Sequence, residues 1–205
     1  MSIKKIVVTG GPCAGKTTAL NLIAETFEQL GYRVIFIPET ATELISSGIA
    51  PWTCCSPFAY QVYQVRLQLA KEKIYREAAE SMKDEKILIV CDRGMMDNKA
   101  YVTPEEFRDL MEAFSSEEEI YAAYDAVFHL VTAAKGAVEF YTLGNNNART
   151  ETVEEAALLD DKVAEAWRRH PHFRLIDNRS DFDHKMKYLL SEIALFLGES
   201  LAGED

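Results

Sequence analysis

The stretch Gly10-Gly11-Pro12-Cys13-Ala14-Gly15-Lys16-Thr17-Thr18 follows a short apolar run, Ile6-Val7-Val8, and precedes a segment with helical spacing of apolar residues. Its pattern is G-x-x-x-x-G-K-T. Glycines at these positions let backbone N–H groups turn onto the oxygens of an anion, and the following helix adds its unpaired N-terminal donors. Because strand, loop and helix come in this order, residues 10–18 are predicted to form a phosphate-binding loop.

Two side chains at the end of this loop suit a triphosphate. The ammonium group of Lys16 would reach the β- and γ-phosphates, and the hydroxyl of Thr17 would bind Mg²⁺. The pattern therefore predicts a site for a nucleoside triphosphate and Mg²⁺, with ATP expected and GTP as the alternative. A standard GTPase switch is not expected, because the segment Asn98-Lys99-Ala100-Tyr101 lacks the aspartate of the N-K-x-D motif.

The composition excludes several classes of partner. The net charge of −11 disfavours nucleic acids, which are bound through clustered Lys and Arg. The four cysteines form no C-x-x-C pair, so neither a zinc site nor a disulfide framework is expected. A strand begins close to Met1 and no apolar run would span a bilayer, so we expect a cytoplasmic protein without a membrane span. The sequence leaves monomer and homodimer open.

The rest of the chain alternates between apolar runs and helical patterns. Such alternation predicts an α/β fold, with a parallel five-stranded sheet flanked by helices on both faces. Together with the phosphate-binding loop, this arrangement predicts the P-loop nucleoside triphosphate hydrolase fold, and residues 1–205 are predicted to be a single domain. The last helix is expected to be capped by Ser180, with Phe182 on its buried side. The predicted strands are 4–9, 33–37, 87–90, 126–132 and 173–176.

Charged residues follow the second and third predicted strands, at the sheet edge where ligands bind. Asp92 has the form of a carboxylate that binds Mg²⁺ opposite the phosphate loop, or it caps the next turn. Arg93 would clamp a phosphate or hydroxyl, or else pair with Asp92 or Glu39. Glu39 would align or deprotonate an acceptor hydroxyl, help to bind the metal, or simply be solvated.

A long polar connection follows the fourth predicted strand. Residues 133–151 are predicted to be a lid-like region, in which Arg149 would neutralise charge in the transition state. The alternative for Arg149 is a solvated side chain. Lys135 is a weaker candidate in the same segment, and His129, inside an apolar strand, is interpreted as a core residue with its hydrogen bonds satisfied.

With these residues, and with the segments Asn146–Glu151 and Ile176–Asn178, the chain resembles one family over nearly its whole length. It is similar to the NadR/nicotinamide-riboside-kinase-like P-loop proteins, including the group of TRPL-translocation-defect proteins. More distantly it resembles the deoxynucleoside and thymidylate kinases. The resemblance implies that Asn178 lies near the nucleotide base and that Gln61 or Gln64 lies near the acceptor.

The resemblance also implies roles for the residues already identified. In these relatives a carboxylate after the second strand activates the acceptor hydroxyl, which matches Glu39, and a carboxylate–arginine pair follows the third, which matches Asp92-Arg93. This chain departs from the deoxynucleoside kinases in having one lid arginine, Arg149, and an aspartate where glutamate is common. The leading hypothesis is a kinase that transfers the γ-phosphate of Mg²⁺·ATP to a small nucleoside-like metabolite. The alternative is a nucleotide-binding switch or regulatory NTPase without a small-molecule acceptor.

Overall fold

The computed structural model describes residues 2–137, 152–179 and 181–201. These residues form a sheet of five parallel strands in the order β2-β3-β1-β4-β5. The fourth strand ends two residues before the predicted Thr132 because the chain there turns toward the phosphate loop. The strands are β1 Ser2–Thr9, β2 Arg33–Ile37, β3 Lys86–Asp92, β4 Ala126–Leu130 and β5 Phe173–Ile176.

Helices connect the strands and begin at recognisable caps. The hydroxyls of Ser56, Thr103 and Thr152 each accept a backbone N–H of the first turn that follows. A 3₁₀ helix, Met95–Tyr101, was not predicted from the sequence. The α-helices are α1 Lys16–Gln29, α2 Thr40–Ser46, α3 Pro57–Glu80, α4 Pro104–Phe114, α5 Glu117–Ala122, α6 Val153–Trp167 and α7 Phe182–Leu197.

The sheet is covered on both faces, as predicted. Side chains alternate along the central strand β1, so that Ile6 and Val8 face α1 and α7 while Val7 faces the opposite layer. In that second layer Trp167 of α6 is fully buried beside residues of α3, α4 and the 3₁₀ helix. Both faces of the sheet therefore contribute to the core, which fixes the strand ends relative to one another.

Two sequence predictions need correction at this level. The N-cap of α7 is Asp181, whose carboxylate accepts the N–H of His184, and the predicted cap Ser180 lies outside the described residues. Phe182 was predicted to be buried, but it is 45% exposed at the start of α7. His129 is buried as expected, yet its Nδ1 has no partner among the described residues.

Candidate active site

A cavity of about 1630 Å³ opens at the carboxyl ends of the strands. Parallel strands bring the residues that follow them to one edge of the sheet, where ligands of such folds bind. Gly10 and Gly11 lie behind the cavity wall, and Arg149 lies outside the described residues. The predicted site residues that line the cavity are Pro12, Cys13, Ala14, Gly15, Lys16, Thr17, Thr18, Glu39, Asp92, Arg93 and Asn178.

Three consecutive carbonyl groups of the phosphate loop, those of residues 12–14, are turned toward the protein behind it. Pro12 O accepts from the Thr132 hydroxyl, Cys13 O from Ala133 N–H at 3.2 Å, and Ala14 O from Lys185 Nζ at 3.1 Å. In a trans peptide the N–H points away from the neighbouring C=O. The N–H groups of residues 13–15 therefore turn toward the cavity, which makes an anion-binding concavity.

Two glycines of the motif are required by geometry. Gly10 has φ +142°, and a Cβ there would lie 2.0 Å from Leu130 O. Gly15 has φ +91°, and a Cβ there would lie 2.7 Å from Cε2 of the Phe182 ring. Any other residue would be strained and would collide with its surroundings. The motif glycines thus let the loop pass closely over β4 and under α7.

Lys16 bends back over the loop that precedes it. Its Nζ donates to Gly10 O and Gly11 O, both at 3.1 Å. Burial and then the nearby Arg93 lower the pKa of Lys16 to about 8, although the carboxylates of the site act in the opposite direction. Among the described residues, two backbone carbonyls accept from the ammonium group, and phosphate oxygens can replace them.

Glu39, at the end of β2, forms an ion pair with Arg93, at the end of β3. Arg93 Nε lies 2.5 Å from Glu39 Oε1, and the Thr42 hydroxyl donates to Glu39 Oε2 at 2.6 Å. Burial alone would raise the pKa of Glu39, but Arg93 and Lys16 together lower it to about 2. Glu39 is therefore an ionised and oriented carboxylate rather than a solvated one. Of the two partners considered for Arg93, Glu39 is the one found.

Sequence reasoning missed Asp97, which fixes Arg93 from behind. This buried carboxylate accepts from Thr9 Oγ1, from Gly94 N–H at 2.8 Å and from Trp167 Nε1 at 3.0 Å. Arg93 Nη1 lies 3.4 Å from Asp97 Oδ1. Asp97 follows Arg93 by four residues, a spacing that brings two side chains together when the chain between them is helical. Because the 3₁₀ helix after β3 was not predicted, this pair was not recognised from the sequence.

Asp92 has an unsatisfied oxygen that fits a metal ion. Its Oδ1 is buried and has no hydrogen-bond partner among the described residues, so Asp92 does not cap a turn through this atom. Burial raises its pKa, and a cation would reverse that effect. No group of three or more His, Cys, Asp or Glu in the described part of the chain could hold a metal alone. Mg²⁺ commonly binds through one or two protein oxygens plus phosphates, which fits Asp92 and the exposed Thr17.

The wall farther from the phosphate loop belongs to α3 and is polar. Tyr60, Gln61 and Gln64 line the cavity. The Tyr60 hydroxyl and Gln61 Oε1 are buried without a partner in the described structure. Gln64 Nε2 donates to Asn98 Oδ1 at 2.9 Å, which fixes its orientation. Both glutamines considered from the sequence thus contribute to the cavity wall.

Asn178 and Lys135 have structural partners behind the loop. Asn178 Nδ2 donates to Thr132 O at 2.8 Å and to Lys135 O at 2.7 Å. Lys135 Nζ pairs with Asp160 at 2.9 Å and with Asp161 at 2.7 Å, and it does not line the cavity. Asn178 therefore stabilises the segment after β4 and also forms part of the cavity wall.

Comparisons with known proteins agree with this geometry. A family model described as an AAA domain matches residues 5–185, and none of the curated protein sequences matches the chain. Two solved structures of deoxyadenosine kinase from M. mycoides are similar. The one with the products dCMP and a flexible dCDP has a TM-score of 0.60 and 16% identity, covering 93% of this chain and 99% of that chain. The one with bound dATP has a TM-score of 0.61 and 15% identity, covering 93% and 98%.

At such identities the likeness shows the fold alone. It confirms the predicted P-loop kinase-like fold and the distant structural resemblance to deoxynucleoside kinases. The narrower NadR-like grouping stays a prediction. In the part of the chain that the structure describes, no helix is both long and apolar enough to cross a membrane.

Proposed function

The chain belongs to a family of AAA domains, and on that premise we propose that it is a phosphotransferase. It transfers the γ-phosphate of Mg²⁺·ATP to a hydroxyl of a small nucleoside-like metabolite, with GTP as the alternative donor. One observation carries this proposal: the phosphate loop and the Glu39–Arg93 pair lie in a single cavity of about 1630 Å³. A triphosphate and a second molecule can therefore bind side by side, which a simple hydrolase does not need.

The charges favour an uncharged acceptor over a phosphorylated one. Lys16, Arg93 and Lys185 are the cations among the described residues that line the cavity. Arg93 is already paired with Glu39 and Asp97, and Lys185 is directed to backbone carbonyls behind the loop. Of the cations in the described part of the cavity wall, this leaves Lys16 for phosphate. A neutral polyol that donates a hydroxyl to Glu39 suits this cavity, whose α3 wall is made polar by Tyr60, Gln61 and Gln64.

The chemistry needs little more than alignment. The acceptor oxygen forms a bond to the γ-phosphorus while the bond from that phosphorus to the bridging oxygen breaks, and the diphosphate leaves. Because its pKa is about 2, Glu39 is a weak base toward the free alcohol. It orients the hydroxyl and takes its proton only as the new bond forms, then releases it to water. Lys16 offsets charge on the phosphoryl oxygens, and Arg93 keeps the Glu39 carboxylate oriented toward the acceptor.

Other groups complete the donor side. Asp92 and Thr17 would hold Mg²⁺, which neutralises phosphate charge when bound. The half-exposed Phe182 ring lies over Gly15 at the loop and offers a flat surface to the nucleotide base, next to Asn178. The role of Arg149, the lid-like region 133–151, the single domain over 1–205 and the cytoplasmic location stay proposals.

The test is consumption of Mg²⁺·ATP across a panel of nucleosides, nucleoside monophosphates, nicotinamide riboside and simple polyols. Lys16→Ala is the blank, because it removes the phosphate ligand. We expect one or more uncharged nucleoside-like compounds to stimulate turnover and to appear as monophosphates in the products. If nucleotide binds and hydrolyses slowly while no compound stimulates turnover, the kinase proposal is wrong and the switch is favoured. If monophosphates are the better acceptors, the argument from charge is wrong.

A further inference from the structure

The phosphate loop begins with two consecutive glycines, and something must order them. Gly-Gly is the most flexible dipeptide, so fixing it in one conformation has a large entropic cost. In the described structure, two side chains form hydrogen bonds with this dipeptide. Lys16 donates to the carbonyls of Gly10 and Gly11, and Asp160 Oδ1 accepts the N–H of Gly11 at 2.8 Å. The lysine would leave these carbonyls for phosphate oxygens when a nucleotide binds, whereas the aspartate would stay.

Asp160 lies on α6, and the protein satisfies its carboxylate completely. Besides Gly11 N–H, Oδ1 accepts from Thr132 N–H at 3.2 Å and from His129 Nε2 at 3.0 Å. Lys135 Nζ lies 2.9 Å from Oδ2. Burial would raise the pKa of Asp160, but these donors lower it to about 2. With this pKa the carboxylate is ionised. The side chain is 1% exposed, so it acts on its protein neighbours and is not available to contact a ligand.

The backbone at Gly11 comes as close to Asp160 as sterics allow. A Cβ on Gly11 would lie 2.9 Å from Asp160 Cβ and 3.0 Å from its Oδ1. Because Gly11 has no side chain, the short Asp160 side chain can pack directly against its backbone. The contact is also directional, because the N–H of Gly11 points to α6 while those of residues 13–15 turn to the cavity. The anion-binding part of the loop begins just after this reversal.

We propose that Asp160 is a positioning residue for nucleotide binding, which fixes the Gly10–Gly11 peptide so that the next N–H groups of the loop face the phosphates. The proposal rests on the proposed function, since it concerns the same phosphate loop. The G-x-x-x-x-G-K-T motif does not include Asp160, which lies about 150 positions later. Its helix, α6, packs on the face of the sheet opposite to α1.

The test compares Asp160→Ala with the matched control Asp161→Ala. Asp161 is the next residue of α6 and also binds Lys135, at 2.7 Å, but its side chain is 72% exposed and it has no contact with the loop in the described structure. The Kd of Mg²⁺·ATP is measured by competition with a fluorescent ATP analogue, well below the unfolding midpoint of each variant. We expect Asp160→Ala to raise Kd and KM about tenfold or more with a smaller change in kcat. Asp161→Ala should bind like the wild-type protein.

The conservative variant separates hydrogen bonding from charge. Asp160→Asn keeps one carbonyl oxygen for Gly11 N–H, so it should recover most of the affinity that Asp160→Ala loses. Wild-type affinity in folded Asp160→Ala would overturn the proposal, and so would an Asp160→Asn variant no better than Asp160→Ala. If Asp160→Ala does not fold, amide exchange of Gly11 in the wild-type protein decides, with slow exchange expected and rapid exchange contrary to the proposal. A wild-type protein that binds no nucleotide would instead refute the proposed function.

Discussion

Glu39 lies where a second ligand would approach the phosphate loop, and Arg93 keeps its carboxylate ionised and oriented. Glu39→Gln keeps the size of the side chain but removes the charge and the proton acceptor. We expect kcat with the best acceptor to fall by about 10²- to 10⁴-fold. The Kd of Mg²⁺·ATP should change little, because the proposed function places Glu39 beside the acceptor and not beside the nucleotide. Steady-state kinetics and equilibrium nucleotide binding measure the two quantities.

Glu43 offers a matched control for this prediction. It lies one helical turn farther along α2 and also lines the cavity, but its carboxylate pairs with Lys71 of α3. Glu43→Gln changes the charge of the cavity by the same amount, so kcat should stay within a few-fold of the wild-type value. Equal losses in the two variants would mean that the overall charge of the cavity matters and that Glu39 has no special role.

Lys185 gives a dependence of stability on pH whose sign can be derived. Its buried Nζ donates to Ala14 O, Val131 O and Asn178 Oδ1. Burial, partly opposed by the charge of Asp160 and assisted by that of Lys16, lowers the pKa of Lys185 from 10.5 to about 8. Between about pH 8 and pH 10.5 the unfolded chain therefore binds the proton and the folded chain does not. The free energy of unfolding should rise through this window.

The contribution of Lys185 can be isolated with Lys185→Met, which has no titrating group at that position. Urea unfolding of the ligand-free proteins at several pH values gives the difference in unfolding free energy between wild type and variant. We expect this difference to grow in favour of the wild-type protein from about pH 8 to about pH 10.5, and to be constant well below pH 8. A difference that shrinks with rising pH would show that the folded state favours the ammonium form.

Among the secondary-structure elements, α6 begins with a capping box at Thr152 and carries Asp160, which binds the phosphate loop. The Thr152 hydroxyl accepts the N–H of Glu155, and the Glu155 carboxylate accepts the N–H of Thr152, so two otherwise unpaired donors are satisfied. Thr152→Ala should lower the free energy of unfolding by about 1 kcal/mol in urea titrations. Nucleotide affinity should be unchanged, since the cap lies two turns before Asp160.

The control for this variant is Thr103→Ala, which removes the equivalent capping box of α4. It should lower stability by a similar amount. A Thr152→Ala protein that loses nucleotide affinity while Thr103→Ala does not would mean that the start of α6 adjusts the position of Asp160. Unchanged stability in both variants would mean that these exposed caps contribute nothing measurable.

The strands could be predicted from sequence because their signals are local. Short apolar runs mark the strands, and the residues after β2 and β3 are the charged groups found in the cavity. Phe182 was misplaced because helical periodicity does not show that the first turn of α7 lies over the phosphate loop. Asp181 rather than Ser180 caps that helix, a difference of one residue that periodicity cannot resolve.

The residues that support the site could not be found in the same way. Asp97, Asp160 and Lys185 lie on helices, where an isolated charged residue reads as solvent-exposed. Several of their partners are far away in the sequence, such as Gly11 for Asp160 and Ala14 for Lys185. Only the packing of α6 and α7 on the two faces of the sheet brings these groups together.

For the whole molecule, strand order determines how these contributions meet. β1 is the central strand, with β3 on one side and β4 on the other. The phosphate loop after β1 therefore has the Asp92-Arg93 segment on one flank and the Thr132 segment on the other. Helices from both faces then reach the loop, α7 through Lys185 and α6 through Asp160. Nucleotide binding at the loop should therefore stabilise the helices on both faces of the sheet.

This arrangement predicts that Mg²⁺·ATP stabilises the entire fold. A ligand that binds only the folded state adds about 2.7 kcal/mol to the free energy of unfolding at roughly one hundred times its Kd. Urea or thermal unfolding with increasing Mg²⁺·ATP should show this gain. The gain should shrink in EDTA, because EDTA removes the cation that Asp92 and Thr17 are proposed to bind. Lys16→Ala, which lacks the phosphate ligand but keeps the loop backbone, should gain much less at the same concentration. An equal gain in wild type and Lys16→Ala would place the nucleotide elsewhere, and no gain in either would refute nucleotide binding at the phosphate loop.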